Sequence, residues 1–268
     1  MSSISVIIPA HKEPYLQKTI DSLHETSKDA IDVIVVLDDY WPDEPLENCT
    51  WIHAPYEVGM RSAINMGVSQ SRSKYIMKCD GHCLFKKHWD AIFIRDCQPD
   101  WVLVPMLYGL HPDVWQRFGH RREFFLINRD NFRGGDWPRY AERCEGQKLC
   151  DLMTFQGSCW FMEKQWYETI GGEDDINYGN GGREAQEISI KTWTMGGRCV
   201  LDRNLWYGHW RKPREHSTIR RANRDKSRKF ILRTYRDDPK FKELLERFKP
   251  VPSWDIPLEE RKLSAKTA

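Results

Sequence analysis

Three short runs constrain this chain more than anything else in it. Ile4–Ala10 (ISVIIPA), Ile31–Asp39 (IDVIVVLDD) and Lys74–Asp80 (KYIMKCD) are apolar almost without interruption. A strand with one wet face alternates apolar and polar residues, whereas a strand covered on both faces does not. The stretches between them have helical spacing: PYLQKTIDSLHETS carries Leu16, Ile20 and Leu23 on one side, and VGMRSAINMGVSQS follows the second run. Strand, helix, strand, helix, strand predicts an α/β fold with a parallel sheet and helices on its faces. Sheets of this kind take ligands beyond the carboxyl ends of their strands. Asp38, Asp39, Asp80 and His82 all fall at that edge.

Further on, Trp101–Leu110 reads as another strand, and His111–Leu149 as an irregular region too polar for a buried element. Ser158–Met162 reads as a strand leading into a short helix that Gly171 and Gly172 end. REAQEISIKTWTMGG reads as a helix and RCVLDRNLWYGHWRK as a last strand. Residues 213–268 are expected to be a basic, partly helical C-terminal extension of a domain covering 1–212.

Composition excludes several classes. With 40% apolar and 30% charged residues the chain is globular. No run reaches the roughly 18 apolar residues of a membrane span, and MSSISVIIPAHKEP does not read as a signal peptide. The eight cysteines are scattered without a CxxC pair, so reduced thiols in a cytoplasmic protein are expected, and a structural zinc is not. Net charge is only +2, yet Arg211–Arg236 holds eleven Lys and Arg against Glu215 and Asp225. Such a stretch suits a phosphate-bearing partner, or is simply a solvated helix face.

Asp80-Gly81-His82 places a carboxylate and an imidazole two residues apart on a turn, where both can face one divalent ion. Imidazole favours manganese-type metals over magnesium. His209, in WYGHWRK, is the candidate third ligand. Taken alone, the triplet fits an ordinary turn with a hydrogen-bonded histidine; its place after a buried strand, beside Asp38 and Asp39, favours the metal.

SVIIPAHKEP, VIVVLDD, GMRSAINMG and YIMKCDGH together resemble the opening of a family 2-type glycosyltransferase of the GT-A fold. GGREAQEISIKTWTMGGRCVLDRNLWYGHWRK resembles the matching stretch of the polypeptide N-acetylgalactosaminyltransferase catalytic domain, which uses Asp-x-His where most relatives carry Asp-x-Asp. The resemblance runs from about Ile4 to Arg211, and implies that 1–212 is a GT-A catalytic domain with a Rossmann-like mixed sheet. It implies a metal, Mn2+ by preference, on Asp80, His82 and His209. It implies a UDP-sugar donor bordered by Pro9, Ala10, Asp38, Asp39 and Gly157, with Arg211 on the phosphate side. Glu184 and Glu187 become the candidate catalytic carboxylates. In an inverting route one of them would take the acceptor proton; in the retaining route that the resemblance favours, the departing phosphate takes it and the glutamate orients.

Some features depart from the family pattern. Arg183 is inserted between Gly182 and Glu184, Asn180 stands where the family keeps a tryptophan, and Arg61 is one residue out of step. A membrane anchor and lectin domain are not in the sequence, which fits the cytoplasmic expectation. The acceptor stays open: a nucleic acid such as DNA with a hydroxymethylated base, which the basic segment 211–236 favours, a polypeptide, or a glycan or small molecule. An inactive GT-A module that binds nucleotide or nucleic acid is the alternative from another class.

Overall fold

The computed structural model describes residues 2–212 and 218–249; part of the basic stretch, 213–217, and the polar tail lie outside the described residues. The strands in chain order are β1 (Ile4–Ala10), β2 (Asp32–Asp38), β3 (Thr50–Ala54), β4 (Tyr75–Cys79), β5 (Cys83–Phe85), β6 (Trp101–His111), β7 (Gln116–Arg122), β8 (Phe125–Ile127), β9 (Gly134–Asp136), β10 (Leu149–Asp151), β11 (Cys159–Glu163) and β12 (Arg198–His209). The helices are α1 (Leu16–Thr26), α2 (Gly59–Gln70), α3 (Trp89–Asp96), α4 (Lys164–Thr169), α5 (Asp175–Tyr178), α6 (Glu184–Thr194), α7 (Thr218–Tyr235) and α8 (Pro239–Phe248).

Ten strands form one mixed sheet, in the order β10-β12-β6-β11-β4-β1-β2-β3, with β5 also on β12 and β7 also on β6. The predicted unit is there: β1 runs parallel to β2 and β4, and β2 parallel to β3. Successive side chains of these strands serve opposite faces. Ile7, Ile34 and Ile76 pack with Ile64 and Val68 of α2, while Val6, Ile8, Val33 and Val35 pack with Ile20 and Leu23 of α1 and Phe93 of α3. Both faces are therefore dry, which is why these runs lack polar alternation.

Two expectations are corrected, and a third, the partly helical C-terminal extension, is filled out. The region His111–Leu149 is far from wholly exposed: Phe124, Phe125, Ile127, Phe132 and Trp137 are buried, although β7 within it is exposed along its length. The C-terminal segment is part of the core as far as it is described, since Ile231 of α7 and Phe241, Leu244 and Phe248 of α8 join the cluster around α6. Asp238 caps α8 by accepting from the Phe241 N–H at 2.9 Å, and Pro239 follows in the first turn. Finally, Cys144 and Cys150 form a disulfide, so the thiols are not uniformly reduced; the turn after a 3-10 helix (Pro138–Cys144) brings their Cα atoms to 6.0 Å. The other six cysteines are free.

One irregularity matters for the site. Between Asp202 and Trp206 strand β12 advances four residues while its partner β6 advances one, from Pro105 to Met106. The Asn204 N–H closes this bulge on Asp202 Oδ1 at 2.8 Å. Beyond it β12 pairs with β5 as well as β6, and His209 comes to lie opposite Cys83.

Candidate active site

The carboxyl end of β4 runs straight into Asp80, whose N–H bonds the Ser158 carbonyl at 3.0 Å, and Gly81-His82 turns the chain into β5. Because β5 and β12 are antiparallel with Cys83 opposite His209, the two histidines are delivered to the same spot. The Trp210 N–H adds a bond to the His82 carbonyl at 3.1 Å. Asp80, His82 and His209 each offer a ligand atom, all within 4.8 Å of one another. His82 Nε2 and His209 Nε2 are 3.1 Å apart, and His209 Nε2 is 3.1 Å from Asp80 Oδ2. Two ligands roughly 2.1 Å from one octahedral ion, at right angles, lie about 3 Å apart. One carboxylate oxygen and two imidazole nitrogens at this spacing fit a borderline divalent ion such as Mn2+.

These three side chains are held by groups that sequence reasoning did not single out. Glu13, just past β1, accepts from His82 Nδ1–H at 2.8 Å, which leaves the lone pair of His82 on Nε2, toward its partners. Glu13 can come this close because residue 81 is glycine: a Cβ there would meet Glu13 Cγ at 3.1 Å. Lys78, buried in β4, binds Asp80 Oδ1 and donates to the Gly157 carbonyl at 2.8 Å. Burial alone would raise the Asp80 pKa, but Lys78 and His209 outweigh it and hold the carboxyl well below its usual range. Burial pushes His209 below the usual histidine value, against the pull of Asp80. A lysine inside an otherwise apolar strand was the signal available for Lys78; Glu13 had only its place after β1.

Two cavities share Asp80 in their walls. The larger, about 970 Å³, runs from Pro9, Ala10 and Asp38 past His82 and His209 to Arg211. The smaller, about 480 Å³, is lined by Lys78, Gly157, Trp160, Arg183 and Glu184 among others. Asp38 is buried, and its two oxygens accept the Val58 and Gly59 N–H groups at 2.7 and 3.0 Å, anchoring the start of α2. Asp39 is exposed, in a left-handed conformation with φ of 55°, and lines neither cavity. It does not share the site with Asp38, because neighbouring residues at the strand end point apart. Lys212 is occupied by the carbonyls of His11 and Lys12 and by Glu13 at 2.9–3.0 Å, strapping the end of β12 to the end of β1.

The two candidate glutamates part company. Arg183 takes up its insertion as a left-handed residue, φ 69°, immediately before α6, so Glu184 still opens the helix and faces both cavities. Glu187 is fully buried and lines neither. Its oxygens are taken by Arg61 at 2.9 Å, Lys191 at 2.6 Å and the Asp174 N–H at 2.8 Å. No acceptor hydroxyl reaches a carboxylate so enclosed. Arg61, itself wholly buried, also lies 3.6 Å from Glu173 and 3.5 Å from Glu184. Three carboxylates crowd one guanidinium, and burial pushes the one without a hydrogen-bond partner, Glu173, up to about 8.

Fold and site define a glycosyltransferase of the GT-A type. The chain belongs to glycosyl transferase family 2, whose model matches residues 5–171. It is 27% identical over 224 residues to polypeptide N-acetylgalactosaminyltransferase 10 of Rattus norvegicus, covering 74% of this chain and 36% of that protein, so it spans about a third of its relative. Among solved structures it is similar to GalNAc-T7 with UDP, GalNAc and Mn2+ (TM-score 0.71, 15% identity, 93% of this chain and 55% of the other). It is also similar to a mannosyltransferase of Pyrobaculum calidifontis in complex with GDP-Man and Mn2+ (TM-score 0.58, 14% identity, 91% and 68%). Among the described residues no helix is long and apolar enough to cross a membrane.

Proposed function

We propose that the chain transfers a sugar from a UDP-sugar to a hydroxyl on DNA in the cytoplasm, using Mn2+ held by Asp80, His82 and His209. The convergence of these three side chains from two distant segments carries the reading. When bound, the ion supplies Lewis-acid neutralisation of the diphosphate as its bond to the sugar breaks. The chain's own groups do the rest. Glu13 sets the tautomer of His82, and Lys78 occupies one oxygen of Asp80, leaving the other for the ion. Pro9, Ala10 and Asp38 wall the end of the cleft assigned to the nucleotide base, and Arg211 the side assigned to the phosphates. Gly157 and Glu184 flank the compartment beyond Asp80, which is assigned to the sugar.

Glu184 is the one candidate carboxylate that faces this compartment, and it orients the sugar and the incoming hydroxyl. With Glu187 enclosed, the retaining route is the better fit: the departing phosphate oxygen accepts the acceptor's proton on the same face. The DNA acceptor draws its support from the basic segment 211–236, whose helix α7 walls the cleft with Asn223 and Arg224. A polypeptide acceptor is the second reading, favoured by the name of the curated relative.

The test is release of UDP from a panel of UDP-sugars with Mn2+, run beside GDP-sugars. Wild type is expected to hydrolyse at least one UDP-sugar slowly without acceptor, and His209→Ala to lose roughly a hundredfold or more of that rate. Absence of nucleotide binding in the presence of Mn2+ would remove the proposal.

A further inference from the structure

The inserted Arg183 has a second consequence. Its guanidinium donates to the Asn131 carbonyl at 2.6 Å, the Arg224 carbonyl at 2.8 Å and Ser227 Oγ at 2.9 Å. It thus ties the loop before β9 and helix α7 to the start of α6. That tie gathers Arg133, Arg224 and Arg228 around the smaller cavity, beside Arg183 itself. Arg224 and Arg228 are four apart on α7, where like charges repel.

The acids close by do not balance this cluster. Of the acids lining the same cavity, Asp80 is paired with Lys78 and Glu184 is engaged by Arg61 and the Gly182 N–H, which leaves Asp225. Arg183 is nearly buried, yet among the described residues none of its hydrogen bonds goes to a carboxylate. Burial, with Arg133 and Arg228 adding to it, pulls its pKa down to about 10. Arg133, Arg224 and Arg228 are exposed, at the rim of the compartment, whereas Trp160 and Lys78 lie buried at its other end. The three exposed guanidiniums can fork onto an oxyanion entering from outside, and Arg183, whose Nε and Nη1 are already taken, adds its charge beside them.

We propose that Arg133, Arg183, Arg224 and Arg228 form a subsite for a phosphate borne by the acceptor, next to the hydroxyl that receives the sugar. The assignment rests on the sugar-transfer reading, because it takes the compartment beyond Asp80 as the place where sugar and acceptor meet. It also gives the inserted arginine a role in acceptor choice.

The experiment uses the full chain with UDP and Mn2+, as wild type, as Arg224→Gln/Arg228→Gln and, on a different element, as Arg133→Gln. Binding of a short single-stranded oligothymidylate, of glucose 6-phosphate and of glucose is measured. In wild type a phosphate-bearing probe binds, weakens steeply with salt and exceeds glucose; both variants lose roughly tenfold or more. Loss confined to the oligonucleotide assigns the phosphate to a strand, and loss with glucose 6-phosphate as well assigns it to the ester alone. Glucose binding as well as its phosphate, or variants that bind both phosphate probes like wild type, would overturn the subsite. The titration with UDP and Mn2+ alone judges the donor reading separately.

Discussion

Glu13→Gln offers the sharpest examination of the metal site, because it leaves all three ligands in place. In wild type the Glu13 carboxylate accepts from His82 Nδ1–H at 2.8 Å, with both side chains almost buried. That bond fixes the tautomer with a bare Nε2. Glutamine matches glutamate in size but removes the charge, and its amide can equally donate to Nδ1, which favours a proton on Nε2. A hydrogen bond to a charged group contributes about 1.5–3 kcal/mol, and loss of a partner behind a metal-bound histidine costs roughly 10–100-fold in affinity. The two figures agree, since 1.4 kcal/mol is about tenfold. Free Mn2+, followed by its electron spin resonance signal during titration, gives the affinity directly. The Glu13→Gln protein is expected to bind Mn2+ 10–100-fold more weakly, approaching the loss in His82→Ala. Equal affinity in wild type and Glu13→Gln would show that the tautomer is not set from Glu13, and that reasoning would fail.

Other tests address the buried charges behind the site. Arg61→Met leaves Glu173 and Glu187 without their shared counter-charge and should destabilise by about 3–5 kcal/mol, seen as a melting point lowered by roughly 10 °C. Glu173, with a folded pKa near 8 against 4.5 in the unfolded chain, keeps its proton longer when folded. The folded state then binds more protons between these values, so its contribution to stability falls as pH rises from about 5 to 8, by roughly 1 kcal/mol per pH unit. Denaturant unfolding of Glu173→Gln at pH 5.5 and 7.5 should show that decline reduced relative to wild type; an identical decline would refute it.

The strands and helices written as long, clean periodic signals were legible: β1, β2, β4, α1, α2 and α6 fall where the apolar runs and helical spacing put them. The meeting of His209 with Asp80 and His82 followed from the motif pattern, although only the β5–β12 pairing shows how it happens. The region His111–Leu149 was misread because its buried aromatics sit in strands of three residues or between elements, too short to set a period. Glu187 stands beside Glu184 as a candidate because the family resemblance covers both acids of that helix. Whether two acids on a helix face solvent or core depends on what packs against it, and Arg61, 126 positions earlier, decides that. Glu13 and Lys78 escaped notice for the same reason, since a supporting charge is defined by its partner in space and not by its neighbours in the chain.

The bulge in β12 makes that strand a phase converter. A strand shifted by an odd number of residues exchanges its two faces, and the four-against-one step from Asp202 to Trp206 is such a shift. Removing or adding a single residue between these positions would turn His209 toward the opposite side of the sheet while Cys199, Val200 and Leu201 kept their places in the core. Length variation in this short stretch is therefore a route by which a descendant of this chain would keep its fold and lose the meeting of His209 with Asp80 and His82.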